Sequence, residues 1–126
     1  YNRFALLLAV LEKRGGYRLT TCDAYVNVIG GIKLIEPASD LAVAAAVMSS
    51  YRNVVLPEDT VYIGEVGLTG EIRAVSHIEK RISESLRLGF KRCIVPKGNQ
   101  KQLEKTENVI FVQNIHELSQ FLEKGV

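Results

Sequence analysis

Apolar residues recur at helical spacing near the start of the chain, at Phe4, Leu7, Leu8 and Leu11. A helix is therefore expected from a cap at Asn2 to Arg14, with Gly15-Gly16 ending it. Residues 18–29 switch to a two-residue alternation: Ala24, Val26 and Val28 fall on one face, Tyr25, Asn27 and Ile29 on the other. Gly30-Gly31 breaks that strand, and Ile32 to Ile35 continues it as a short extended piece. Pro37 to Arg52 reads as a second helix, since proline is well placed where a helix N–H has no partner. Its body is apolar around most of its circumference, which predicts burial on more than one side.

Beyond Pro57, Thr60 to Ile63 is a strand and residues 64–70 are rich in turn residues, leading into a strand at 71–75. A third helix over 77–88 places Ile78, Ile82 and Leu86 on its buried side, with Gly89 as the residue that ends it. Arg92 to Val95 is a strand closed by Pro96, residues 100–105 form a short helix, and Val109 to Val112 is a strand. Asn114 caps a last helix to Glu123. The order is α-β-β-α-β-β-α-β-(α)-β-α, an α/β (α+β) two-layer arrangement with some parallel pairing.

At 126 residues the chain is a single domain, 1–126, able to bury one core. It opens at Tyr1 with no initiator methionine and no secretory signal, which is expected of a fragment of a longer protein. No run approaches the roughly 18 apolar residues of a membrane helix. Cys22 and Cys93 lie far apart in sequence, and free thiols in a reducing cytoplasm are expected. His77 and His116 lack ligand-like partners at useful spacing, so no metal site is inferred.

Charge changes this picture in one stretch. Residues 1–63 balance six basic groups against six acids, whereas residues 80–105 carry eight basic groups against Glu84 and Glu104. Lys80, Arg81 and Arg87 share the exposed side of the third helix, and Lys91 and Arg92 follow. That pattern suits a polyanionic partner held by its phosphates. It equally suits a solvated face, because Glu84 sits one turn from both Lys80 and Arg87. Aromatic residues are not interleaved with the basic ones, so stacking on single-stranded bases is not suggested.

Catalytic patterns are sparse. The glycines of Gly64-x-x-Gly67-x-x-Gly70 lead into a strand rather than a helix, which favours a tight β-turn system over a phosphate cradle. Serines are available, yet no G-x-S-x-G elbow holds one. Asp23, Glu36, Asp40 and Glu65 are candidate carboxylates whose pairing the sequence leaves open.

Five segments carry a family resemblance: Leu8-Ala-Val-Leu-Glu-Lys-Arg14, Asp23-Ala-Tyr-Val-Asn-Val-Ile-Gly-Gly31, Glu36-Pro-Ala-Ser-Asp-Leu-Ala42, Gly64-Glu-Val-Gly-Leu-Thr-Gly-Glu-Ile-Arg73 and Leu88-Gly-Phe-Lys-Arg-Cys-Ile-Val-Pro96. Together they resemble the C-terminal domain of the RadA/Sms family of DNA-repair proteins, over nearly the whole chain. The resemblance implies the fold of the Lon proteolytic domain, of the ribosomal protein S5 domain 2-like type. Lon places its nucleophile in a Gly-Pro-Ser-Ala-Gly motif and its general base in a Gly-Gly-x-Lys-Glu-Lys motif. Anchored on Pro37, the serine position is Ala38; anchored on Gly89 and Pro96, the lysine position is Glu79. The dyad is then absent. A one-residue slip at both places would instead make Ser39 and Lys80 the pair, an active peptidase, although a slip turns a helical side chain by roughly 100°.

The family further implies a modular protein that uses ATP, Mg and Zn elsewhere in its length, with no cofactor in this fragment. It implies a hexameric ring, the cytoplasm, and double-stranded or branched DNA and RecA recombinase as partners. For this domain the resemblance leaves a scaffold role and a contribution to DNA binding, with Arg14 and Arg73 joining Lys80, Arg81, Arg87, Lys91 and Arg92 as candidate contacts. A pure oligomerisation module is the alternative.

Overall fold

The structure is a computed structural model, and it describes residues 2–19 and 36–123. The extended segments expected beyond residue 19, over 20–29 and 32–35, lie outside the described residues, as does Cys22. The elements are α1 (Asn2–Gly15), a 3-10 turn (Pro37–Ser39), α2 (Asp40–Arg52), β1 (Thr60–Tyr62), β2 (Glu65–Val66) and β3 (Ile72–Arg73). They continue with α3 (Ile78–Arg87), β4 (Arg92–Pro96), a 3-10 segment (Lys97–Leu103), β5 (Val109–Val112) and α4 (Ile115–Glu123).

β1, β4 and β5 form a parallel sheet in that order, with Thr60 opposite Arg92 and Cys93 opposite Val109. Parallel neighbours need crossovers, and α3 and the Lys97–Leu103 segment supply them. Strand alternation sorts the side chains to two faces. Tyr62, Ile94, Ile110 and Val112 face α1, α2 and α4, while Val61, Ile63, Cys93, Val95 and Phe111 face α3 and the Lys97–Leu103 segment. Helices thus cover both faces, the usual condition of a parallel sheet.

β2 and β3 pair antiparallel and lie across the C-terminal edge of that sheet. Ile72 N–H donates to the Gln113 carbonyl at 2.9 Å and Ile115 N–H to the Gly70 carbonyl at 2.9 Å. Gly70 turns at φ +85°, and a Cβ there would stand 2.9 Å from Arg14 Cβ, so both handedness and space require glycine. The β-turn expected over 64–70 is therefore a hairpin, with Glu65–Val66 as a strand that the turn-rich composition hid.

Several expected boundaries hold for identifiable reasons. Gly89 ends α3 at φ +101°; its N–H donates to Leu86 and that of Phe90 to Ser85, the paired bonds of a Schellman cap. Asn114 caps α4 by accepting from Glu117 N–H at 2.8 Å. Other expectations change. Asn2 is the first residue of α1 rather than its cap, and residues 37–39 form a 3-10 turn before α2 begins at Asp40. The strand expected at 71–75 is confined to Ile72–Arg73, and the short helix expected at 100–105 is a 3-10 segment over Lys97–Leu103. α2 buries only one face: Leu41, Ala44, Ala45 and Met48 are covered, whereas Ala42 and Ala46 are exposed. Leu86, placed on the buried side of α3, is 42% exposed because α3 and the Lys97–Leu103 segment leave a cleft at that point.

Candidate functional site

The start of α2 is where the sequence placed its strongest chemical question. Glu36 to Asp40 is tied to the end of β1: Gly64 N–H donates to the Ala38 carbonyl at 2.9 Å, and Leu41 N–H to the Gly64 carbonyl at 3.0 Å. Ala38 is only 6% exposed and packs with Ile63, Ile78, Ile82, Cys93, Val95 and Leu103. A methyl group sealed by α3 and the sheet occupies the position the resemblance compares with a nucleophile.

Ser39 is half-buried, and its hydroxyl donates to the Glu36 carbonyl at 2.6 Å. Lys80 is exposed in the first turn of α3, and among the described residues Ser39 and Lys80 form no hydrogen bond. Glu79 is exposed as well and lines the cleft of about 300 Å³ with Ile82, Ser83, Leu86, Leu103 and Thr106. A serine that attacks needs a base within hydrogen-bond reach, and neither arrangement provides one among the described residues.

Asp40 ties the start of α2 to two other elements. It is 7% exposed, accepts from Arg3 Nε at 3.1 Å and from Val66 N–H at 3.1 Å, and pairs also with Arg3 Nη2. Glu65 stands 3.7 Å from Arg3 and 3.9 Å from Arg73. Arg73 reaches Glu71 at 3.3 Å. Glu71 is held at a pKa of about 2, first by the Thr69 hydroxyl, which donates at 2.7 Å, with backbone N–H groups and Arg73 adding to it. Carboxylate and guanidinium groups thus fasten α1, α2 and the hairpin to one another. Of the carboxylates singled out in the sequence, Asp23 lies outside the described residues, and Asp40, Glu65 and Glu36 each hold an arginine rather than one another.

The seven candidate DNA contacts divide between two ends of the sheet. Arg14, facing Gly70, and Arg73, in β3, lie at the C-terminal edge, as does Lys80 at the start of α3. Arg87 ends α3, and Lys91 and Arg92 begin β4, at the N-terminal edge. There the N–H groups of Lys91 and Arg92 both donate to the Asp59 carbonyl, at 2.8 and 3.1 Å. The five residues of β4 separate the two groups by roughly 16 Å at 3.3 Å per residue. Arg87 Nε donates to Glu84 at 3.1 Å, so the acid within the basic face has chosen its partner. Arg81 does not share the exposed side with Lys80 and Arg87. It turns one quarter of the way around α3, pairs with Glu36 and donates from Nε to the Ser76 carbonyl at 2.8 Å.

His77 is exposed in a left-handed conformation just ahead of α3, and His116 is exposed in the first turn of α4. Cys93 is a buried free thiol whose pKa burial pushes up. Among the described residues no helix is long and apolar enough to cross a membrane. Sequence reasoning missed the role of Asn99, which is buried; a polar residue in an irregular segment gives no periodic signal of what it will face.

Comparison with known proteins bears on the same architecture. The chain is 50% identical to DNA repair protein RadA of Listeria monocytogenes over 119 residues, 93% of this chain and 26% of that protein. It has the same identity over the same shares to RadA of Bacillus subtilis. RadA of Haemophilus influenzae is 54% identical over 99 residues, 79% of this chain and 22% of that protein. Residues 7–99 match the model of the family described as Subunit ChlI of Mg-chelatase. The chain belongs to the RadA family, and the match with that model is consistent with this. It matches the C-terminal region of RadA and spans about a quarter of the length of these relatives. The match with the family model runs from α1 into the Lys97–Leu103 segment, so it takes in the start of α2, the hairpin and α3.

Proposed function

We propose that this chain is a non-proteolytic domain of a RadA-type DNA-repair protein, acting as a scaffold in a ring assembly and contributing contacts to double-stranded DNA. The observation that carries the first half is Ala38, a methyl group buried under Ile78 and Ile82 where a peptidase would need an exposed hydroxyl. Asp40 supports it, because the residue after Ser39 binds Arg3 and Val66 N–H instead of leaving the loop open for substrate. The second half rests on relatives named as DNA repair proteins and on exposed basic groups at the C-terminal edge of the sheet. Lysines and arginines there suit phosphate contacts, which position a protein on a duplex without reading its sequence.

In this reading ATP, Mg and Zn chemistry belongs to the remainder of a RadA-type protein. RecA recombinase and branched DNA are partners of the whole, and the cytoplasm is its compartment. The test is anisotropy of a labelled duplex with the 126-residue chain across a salt series. Affinity that falls steeply as salt rises supports phosphate contact. Absence of binding at the lowest salt removes the DNA role and leaves a scaffold. Covalent labelling of Ser39 by a serine-directed fluorophosphonate would overturn the non-proteolytic half.

A further inference from the structure

The two edges of the sheet differ in how their charges are already used. At the C-terminal edge, Glu36, Asp40, Glu65 and Glu71 each have an arginine partner. Arg14, Lys80 and Lys97 are exposed there, and no ion pair engages them among the described residues. Glu79 is an exposed acid nearby with no ion pair among the described residues, and it lines the cleft. At the N-terminal edge Arg87 is taken by Glu84, and Glu58 and Asp59 precede β1 beside Lys91 and Arg92. Among the described residues no ion pair engages Lys91 or Arg92 either, but the unpaired carboxylates of Glu58 and Asp59 share their edge and offset them. The excess of positive charge therefore lies at the strand C-termini, the end at which open α/β sheets commonly take ligands.

Lys97 follows the last residue of β4. Its place is fixed by a neighbour: Asn99 is 2% exposed, and its side-chain amide pairs with both backbone groups of Val75. Oδ1 accepts from Val75 N–H at 3.0 Å, and Nδ2 donates to the Val75 carbonyl at 3.0 Å and to Gln102 Oε1 at 2.7 Å. Gly98 backs onto Ala74 so closely that a Cβ on it would lie 3.1 Å from that of Ala74. Residues 74–77 join Arg73 to the first turn of α3 and its Lys80. The clamp thus sets Lys97 alongside a loop with a basic residue at each end.

We infer that Lys97 is a phosphate-contacting residue, that Asn99 positions it through Val75, and that the C-terminal edge of the sheet, rather than the edge at Lys91 and Arg92, faces the duplex. This rests on the DNA-binding reading above and assigns it a surface. The probe is the same labelled duplex, titrated with the wild-type chain, Lys97→Ala, a Lys91→Ala/Arg92→Ala double variant, Asn99→Ala, and Asn99→Ala combined with Lys97→Ala.

Removing one phosphate contact lowers the slope of log affinity against log salt by about 0.9, an affinity loss of about eight-fold at 0.1 M salt. Lys97→Ala shows that loss, and the Lys91→Ala/Arg92→Ala variant does not. Asn99→Ala weakens binding in the wild-type background and adds little once Lys97 is gone, which a general loss of structure would not do. If Asn99→Ala fails to fold by circular dichroism, Asn99→Asp, which keeps the acceptor for Val75 N–H, takes its place in the cycle. Binding by the wild type with Lys97→Ala unaffected overturns this inference and leaves the DNA reading standing. Losses for Asn99 and Lys97 that simply add overturn the positioning role, and a wild type that does not bind at all overturns the DNA reading itself.

Discussion

Arg3 Nε donates to Asp40 Oδ1 at 3.1 Å, joining the first turn of α1 to the first residue of α2. Asp40 also receives Val66 N–H from β2, so one buried carboxylate holds three elements. Its place in the first turn of α2 adds a favourable interaction with the helix dipole. Asp40→Ala leaves the Arg3 guanidinium with Glu65 alone and the Val66 amide without its acceptor. Arg3 keeps 41% of its side-chain surface in water, which limits the cost to about 1–2 kcal/mol. Urea denaturation should show that loss at an unchanged m-value. A smaller loss for Arg3→Ala than for Asp40→Ala is expected, since Val66 keeps its acceptor.

Glu71 titrates near pH 2 because the Thr69 hydroxyl, backbone N–H groups and Arg73 favour its charged form. The sign follows from the direction. A depressed folded pKa gives stabilisation that is complete above about 4.5, declines as the pH falls, and is gone once it passes below about 2. The carboxyl resonance of Glu71 should therefore stay in its ionised position through pH 3. Thr69→Val removes the largest contributor and should move the midpoint up toward the ordinary value; an unmoved midpoint would exclude the hydroxyl as the cause.

Tyr17 and Ser119 share a hydrogen bond of 2.8 Å in the interior, and Arg52 Nη2 donates to the same Ser119 hydroxyl at 2.9 Å. Arg52 also lies over the Tyr17 ring, 5.1 Å from its centroid. Tyr17→Phe keeps the ring and that cation–π contact, and Ser119 retains Arg52. The expected cost is about 1 kcal/mol, a fall in melting temperature of roughly 3–5 °C for a domain of this size. A fall much larger than this would mean that the hydroxyl organises more than one junction.

Cys93 is fully buried between the sheet and α3, and burial pushes its thiol above the ordinary range. With Cys22→Ser in place to isolate it, Cys93 should resist a maleimide while the chain is folded. It should react promptly in denaturant. Rapid labelling under native conditions would show that α3 opens from the sheet.

Local order was largely legible in the sequence, for local reasons. Helical spacing of Ile78 and Ile82, glycine at 89 and asparagine at 114 each act within a turn or two of chain. The strand runs at 60–63, 92–95 and 109–112 are apolar because parallel strands are covered on both faces. The candidate site was legible only in its chemistry: Ala38 cannot supply a hydroxyl whatever surrounds it. Leu86 was misplaced because its exposure depends on where the Lys97–Leu103 segment ends, which α3 alone does not encode.

By itself the sequence determined the α/β class, most element boundaries, the family and the lack of a side-chain hydroxyl at residue 38, since each depends on residue type and short-range spacing. Tertiary structure alone decided that Asp40 meets Arg3 across 37 positions and that Arg81 turns to Glu36. It alone divided one run of basic residues between opposite edges of a sheet. Charges separate or meet according to crossover geometry, and two lysines close in sequence stand apart when a strand runs between them.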